Sequence, residues 1–170
     1  TAVAAYTKVI ELEPANGNAM LRLGQVYAAT GKVDEAVAAF EQAAANGQEK
    51  QAFKQLSTIY VKKAAAALKA KNYQGAVDAA LKSNEYLENA TAMKVAGTAA
   101  SALQKNEEAI QYLEKYLELS PNAKDAAQMK YTIAATAQVM GDNAKAKEYY
   151  TMILSDPKFG PTAKQMLESL

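Results

Sequence analysis

The chain has 170 residues, half of them apolar, with 19 basic against 18 acidic residues and no histidine or cysteine. This composition excludes disulfides and thiol chemistry, removes the commonest acid–base groups and transition-metal ligands, and lacks the strong positive charge of a dedicated nucleic-acid binder. No apolar run approaches the roughly 18 residues that span a bilayer, and sparse glycine and proline with frequent alanine argue against a β-sandwich, a collagen or a disordered chain.

In chain order, residues 1–14 read as one amphipathic helix, with Ala2, Tyr6, Val9, Ile10 and Leu12 on its apolar side and a stop at Pro14. The chain opens at Thr1 already inside this pattern. It is read as a trimmed or fragmentary form whose upstream segment covers one face of the helix. That reading points towards a bacterial cell-envelope or periplasmic protein, with the cytoplasm as the alternative. Residues 17–47 give the clearest unit. Met20, Leu23, Gly24 and Tyr27 fall at i, i+3, i+4 and i+7, one face of a helix. Gly24 costs about 1 kcal/mol of helix propensity relative to alanine, which suggests that another helix passes close to it. Thr30-Gly31-Lys32 is a turn, Asp34 and Glu35 sit in the first turn of the next helix where its dipole favours acids, and Asn46-Gly47 ends it. The apolar face of the second helix is Val33, Ala36, Val37, Phe40 and Ala43.

Met20-x2-Leu23-Gly24-x2-Tyr27 followed by Ala36-x3-Phe40 resembles the tetratricopeptide repeat, a helix–turn–helix unit of about 34 residues. The pattern recurs. Residues 49–88 carry Phe53, Leu56, Ser57 and Tyr60 and then Ala76; residues 90–121 carry Met93, Ala96, Gly97 and Ala100 and then Ala109 and Leu113; residues 124–157 carry Ile133, Ala134 and Ala137 and then Ala146 and Tyr150. In 49–88 the interval from Tyr60 to Ala76 exceeds that from Tyr27 to Ala36 by seven residues, about two helical turns. The inserted stretch lacks glycine and proline, so the spacing predicts one long helix over 50–70. Residues 160–170 predict a closing helix with Pro161 in its first turn and Lys164 and Glu168 on a polar face. The expectation is a single domain over 1–170 with about four and a half repeats. Its fold class is all-α, and the resemblance implies a right-handed α-solenoid of antiparallel helix pairs whose first helices line a concave groove that holds peptides or partner segments.

On that face, one residue past the core stripe, stand Lys54 and Thr58, Lys94 and Thr98, with Gln25 and Tyr131 in related places. Two lysines with hydroxyls one turn on form a ladder suited to a carboxylate or an acidic peptide; solvated lysines are the plainer alternative. Some relatives clamp a terminal carboxylate with lysine, asparagine and arginine. Here the asparagines are missing and Arg22, the chain's only arginine, lies off the face. Residues 50–82 hold seven lysines and one acid, a net of +6, with Lys62, Lys63, Lys69 and Lys71 as a basic ridge suited to an acidic partner or an anionic lipid surface. No two glycines lie closer than seven residues, which leaves no phosphate loop or dinucleotide fingerprint, and no cofactor or metal is expected. The tyrosines of the second helices, Tyr112, Tyr116, Tyr149 and Tyr150, read as packing residues with wet hydroxyls. The resulting expectation is a non-enzymatic scaffold for a protein or peptide partner. An assembly element joining copies or a neighbouring domain through exposed terminal helices, and a hydrolase using carboxylates alone, are the alternatives.

Overall fold

A computed structural model describes all 170 residues, and it contains helices and no strand. The helices are α1 (Ala2–Leu12), α2 (Gly17–Ala29), α3 (Val33–Ala43), α4 (Glu49–Lys69), α5 (Tyr73–Tyr86), α6 (Ala90–Ala102), α7 (Asn106–Leu119), α8 (Ala126–Val139), α9 (Asn143–Met152) and α10 (Gly160–Ser169). This is the expected fold class, an all-α solenoid of antiparallel pairs: α2 packs on α3, α6 on α7, and α8 on α9. The chain divides into two compact units. One comprises residues 1–63 and 82–88, the other residues 64–81 and 89–170.

Each first helix ends in the same way. Gly31, Lys71, Gln104 and Gly141 take the left-handed conformation, with φ of 78°, 60°, 59° and 80°. The next residue then donates its N–H five residues back: Lys32 to Tyr27 O at 2.9 Å, Asn72 to Ala67 O at 2.9 Å, Lys105 to Ala100 O at 3.0 Å, and Asp142 to Ala137 O at 2.9 Å. This closure satisfies a carbonyl that the helix end would otherwise leave without a partner. Glycine reaches that conformation freely; Lys71 and Gln104 reach it against a steric cost of about 1–2 kcal/mol. Carboxamide or carboxylate side chains cap several helix starts, with Asn16 accepting from Ala19 N at 2.9 Å, Asn72 from Gly75 N at 3.1 Å, Asn89 from Ala92 N at 3.2 Å and Asp142 from Lys145 N at 3.0 Å.

Counting back seven residues from each turn gives Gly24, Ala64, Gly97 and Ala134, all buried. Counting forward nine gives Phe40, Ala80, Leu113 and Tyr150, also buried. Small residues on the first helix thus stand in register with the residues that follow the second-helix alanines. Two of these contacts are direct: a Cβ built on Gly24 would lie 2.7 Å from the Phe40 ring, and one on Gly97 would lie 2.6 Å from Leu113. Glycine is required at both places because the neighbouring side chain occupies the space a Cβ needs.

In the first unit Met20, Leu21, Ala36, Phe40, Ala43, Ala52 and Leu56 form the core, with Ile10, Tyr27 and Val37 packed against it. Burying Phe40 completely is worth about 1.5–3 kcal/mol. The link 44–48 breaks helical geometry at Asn46 and at Gly47, where φ is 86°. α4 runs for 21 residues, so the seven added residues extend the helix and leave the turn after it unchanged. Ser57 and Ser83, both buried, join α4 to α5 through Oγ atoms 2.9 Å apart, and Ser83 also donates to Ser57 O at 2.9 Å. In the second unit α7 packs on α8 and α9 on α10, over a core that includes Met93, Ala96, Leu113, Ile133 and Tyr150.

Candidate functional site

A cleft lies in the second unit, between α6 and α8, the first helices of successive pairs. It encloses about 340 Å³ and is lined by Lys94, Thr98 and Ser101 from α6, Asp125, Gln128, Met129 and Thr132 at the start of α8, and Leu113 of α7. Helical periodicity places these groups together. Residues 94, 98 and 101 share one face of α6, and 125, 128 and 132 share one face of α8.

Lys94 forms an ion pair with Asp125 and lies 5.8 Å from the centre of the Tyr116 ring. Tyr116 Oη donates to Asp125 Oδ1 at 2.6 Å. The Lys94 ammonium and then the Tyr116 hydroxyl, both hydrogen-bonded to it, hold the Asp125 carboxyl below its ordinary range. Burial, and next the bond to Asp125, push the Tyr116 phenol up to about 12. At neutral pH the cleft therefore holds one cation and one anion that neutralise each other.

The hydroxyls follow one rule. Thr98 donates to Lys94 O at 2.8 Å, Ser101 to Gly97 O at 2.9 Å and Thr132 to Gln128 O at 3.0 Å. Each is a helical Ser or Thr bonding back to the carbonyl one turn earlier. Thr58 in the first unit does the same with Lys54 O, at 2.9 Å.

The residues singled out by spacing are thus distributed as follows. Lys94 and Thr98 line the cleft. Lys54 and Thr58 are exposed on α4, and Lys54 makes no ion pair. Gln25 is half-buried and accepts a bond from Arg22 at 3.2 Å. Tyr131 is not a cleft residue: its ring packs edge-on to Tyr150 at 5.9 Å and stacks on Phe159 at 5.4 Å, between the last helices. The lysine ladder is altered as well, because Lys94 is already occupied by Asp125. Of the basic ridge, Lys63 pairs with Asp34 at 3.2 Å and lies 5.5 Å from the Tyr60 ring centre, while Lys62, Lys69 and Lys71 are exposed. The tyrosine hydroxyls of α7 and α9 are bonded rather than wet in three cases: Tyr116 to Asp125, Tyr149 to Glu114 at 3.1 Å and Tyr150 to Gln138 at 3.0 Å. Asp125, Gln128 and Thr132 carry no repeat signature; only the phase of α8 relative to α6 identifies them.

A smaller recess of about 200 Å³ is lined by Glu107, Ile110, Gln111, Glu114, Met140, Asp142 and Lys145. There Lys145 donates to Glu114 at 2.7 Å. No group of three or more acidic side chains is gathered where it would hold a metal ion. No helix is long and apolar enough to cross a membrane.

Stacked helix pairs with a shared turn and a small-residue seam define the class, an α-helical repeat protein. The tetratricopeptide repeat family matches residues 1–59 and, in a second stretch, residues 61–124. The chain belongs to that family, and with it comes the class of function, a protein–protein interaction scaffold. No curated protein matches the chain. Among solved structures it is similar to MamA, with 20% identity over 90% of this chain and 79% of that one and a TM-score of 0.53. It is also similar to the TPR domain of P58(IPK), at 21% identity over 96% of this chain and 48% of that one, with a TM-score of 0.59. A third similar structure is YrrB, described as a TPR protein with an unusual peptide-binding site, at 17% identity over 96% and 84% with a TM-score of 0.52. At such identities the likeness carries the fold.

Proposed function

We propose that the chain is a non-enzymatic scaffold that takes a peptide or protein segment into the α6–α8 cleft. Lys54 and Thr58 offer a separate contact row on α4 in the first unit, where an acidic residue of a partner meets the unpaired lysine. The observation that carries the reading is the cleft itself. First helices of two successive pairs present polar side chains across an open trough whose floor, Leu113, is already packed. The ionisation of Asp125 supports a binding role over a catalytic one, since a carboxylate held below its ordinary range is a poor proton carrier at neutral pH.

Panning a library of short random peptides on the whole chain tests the reading. Thr98→Trp fills the trough from an exposed position, so binders selected on the parent chain should lose at least about tenfold in affinity on the variant, while helicity by circular dichroism stays unchanged. Equal affinity on both proteins removes the cleft from the proposal.

One feature favours a second role in assembly. α1 has no fully buried residue, and Leu12 is 72% exposed. In that role the face of α1 joins a further copy or a neighbouring segment. Light scattering should then show a mass that rises with concentration and returns to that of one chain in Leu12→Asp.

A further inference from the structure

The chemistry of the cleft restricts what enters it. The three hydroxyls that line it, on Thr98, Ser101 and Thr132, all point their protons into their own helices, at Lys94 O, Gly97 O and Thr132's partner Gln128 O. What they turn towards an incoming segment is lone pairs. The lysine's charge is met by Asp125, and Asp125 in turn is held by Lys94 and Tyr116. Gln128 adds one amide, with both a donor and an acceptor. A carboxylate placed here would meet oxygen lone pairs and a second carboxylate. A cation would meet an ammonium of like charge. Neither gains a free counter-charge, and each loses water on entering.

We infer that the segment held in this cleft is uncharged and rich in N–H donors, such as asparagine and glutamine carboxamides and main-chain amides, and that it carries no carboxylate at this point. The inference rests on the docking reading above and goes further by naming the chemistry of the partner. It separates this cleft from Lys54 on α4, which retains a free positive charge. It also makes binding insensitive to salt, because no net charge is neutralised on association.

The same library tests it. The peptides that count are those whose binding to the whole chain is lost in Thr98→Trp. They should be poor in Asp and Glu, enriched in Asn and Gln, and bound equally at low and high salt. Thr98→Val and Thr132→Val keep the shape and remove an acceptor; each should weaken these peptides by roughly threefold to tenfold with the helical spectrum unchanged. Cleft-dependent peptides rich in acidic residues overturn the inference. So do lysine- or arginine-rich peptides whose affinity collapses in salt, since Asp125 would then be the anchor, and so does unchanged affinity in both valine variants. If no peptide depends on the cleft, the docking reading itself fails, which is a different result from docking with the wrong chemistry.

Discussion

In the α6–α7 hairpin a glycine lies against a leucine; in the α4–α5 hairpin two serines lie against each other. Both hairpins close on the same left-handed turn. Behind the turn of α6–α7, Gly97 leaves room that the Leu113 side chain fills, and no side-chain hydrogen bond takes part in the contact. α4 is two turns longer, and at its deeper level Ser57 and Ser83 bond inside the protein with each other and with the Ser57 carbonyl. One hairpin is fixed by shape, the other partly by hydrogen bonds that have no water to compete with them. The difference teaches how one repeat tolerates changes in size and polarity while its turn stays constant.

The largest expected effect comes from breaking the shape-fixed contact. Gly97→Leu forces a side chain into the space held by Leu113 and should lower stability by about 1–3 kcal/mol, read from urea unfolding. Gly24→Leu against Phe40 should behave alike. A neutral result at either site would mean that the seam is looser than its geometry. Next come the serines. Ser83→Ala leaves the Ser57 hydroxyl with only the 3.4 Å contact to Leu87 O, and should cost about 1 kcal/mol. Ser57→Ala should cost less, since Ser83 keeps the Ser57 carbonyl, and the double change should cost less than the sum of the two. Additive losses would show that the pair is not coupled.

Relaxing the shared turn should have the opposite sign. Lys71→Gly and Gln104→Gly remove a strained left-handed side chain and should each stabilise by about 0.5–1 kcal/mol after the greater freedom of glycine in the unfolded chain is counted. The α6–α7 region also carries a pH signature. The Tyr116 phenol titrates near 12 in the folded chain and near 10 when unfolded. Its contribution is therefore complete below pH 10 and is lost as pH rises towards 12. Asp125 has the reverse sense. Its depressed folded value gives stability that is present above the ordinary carboxylate range and is lost as pH falls through the folded value. Tyr116→Phe should flatten the alkaline limb in thermal melts at stepped pH. The smallest effect belongs to Lys54→Glu, an exposed change without a lost partner, which should stay within about 0.5 kcal/mol.

Much of the fold was legible because it repeats. The alanines at 36, 76, 109 and 146 and the turns near 31 and 141 mark helices that form where expected, and the long helix predicted over 50–70 is found at Glu49–Lys69. The turns at Lys71 and Gln104 were harder to read, since neither residue is a glycine and only the backbone closure reveals the equivalence. For the same reason Ser57 was matched to Gly24 by the spacing of Phe53, Leu56, Ser57 and Tyr60, whereas Ala64 takes that place when the count runs back from the turn. The cleft was half legible. Lys94 and Thr98 followed from the stripe on α6. Asp125, which decides the charge of the site, did not, because its meeting with Lys94 depends on how α8 is phased after the link that contains Pro121. The packing of Tyr131 on Phe159 could not be read from the repeats, because Phe159 lies outside any repeat signature.

The length of α4 has a further consequence. Seven residues turn a helix through about 700°, which is within about 20° of two full revolutions. Excising such a block from the middle of α4 would leave the remaining side chains facing the directions they face now, whereas removing five would swing everything beyond the cut by about 140°. This stretch of the chain therefore accepts changes of length only in steps close to whole turns, such as seven or eleven residues, like a telescoping rod with fixed stops.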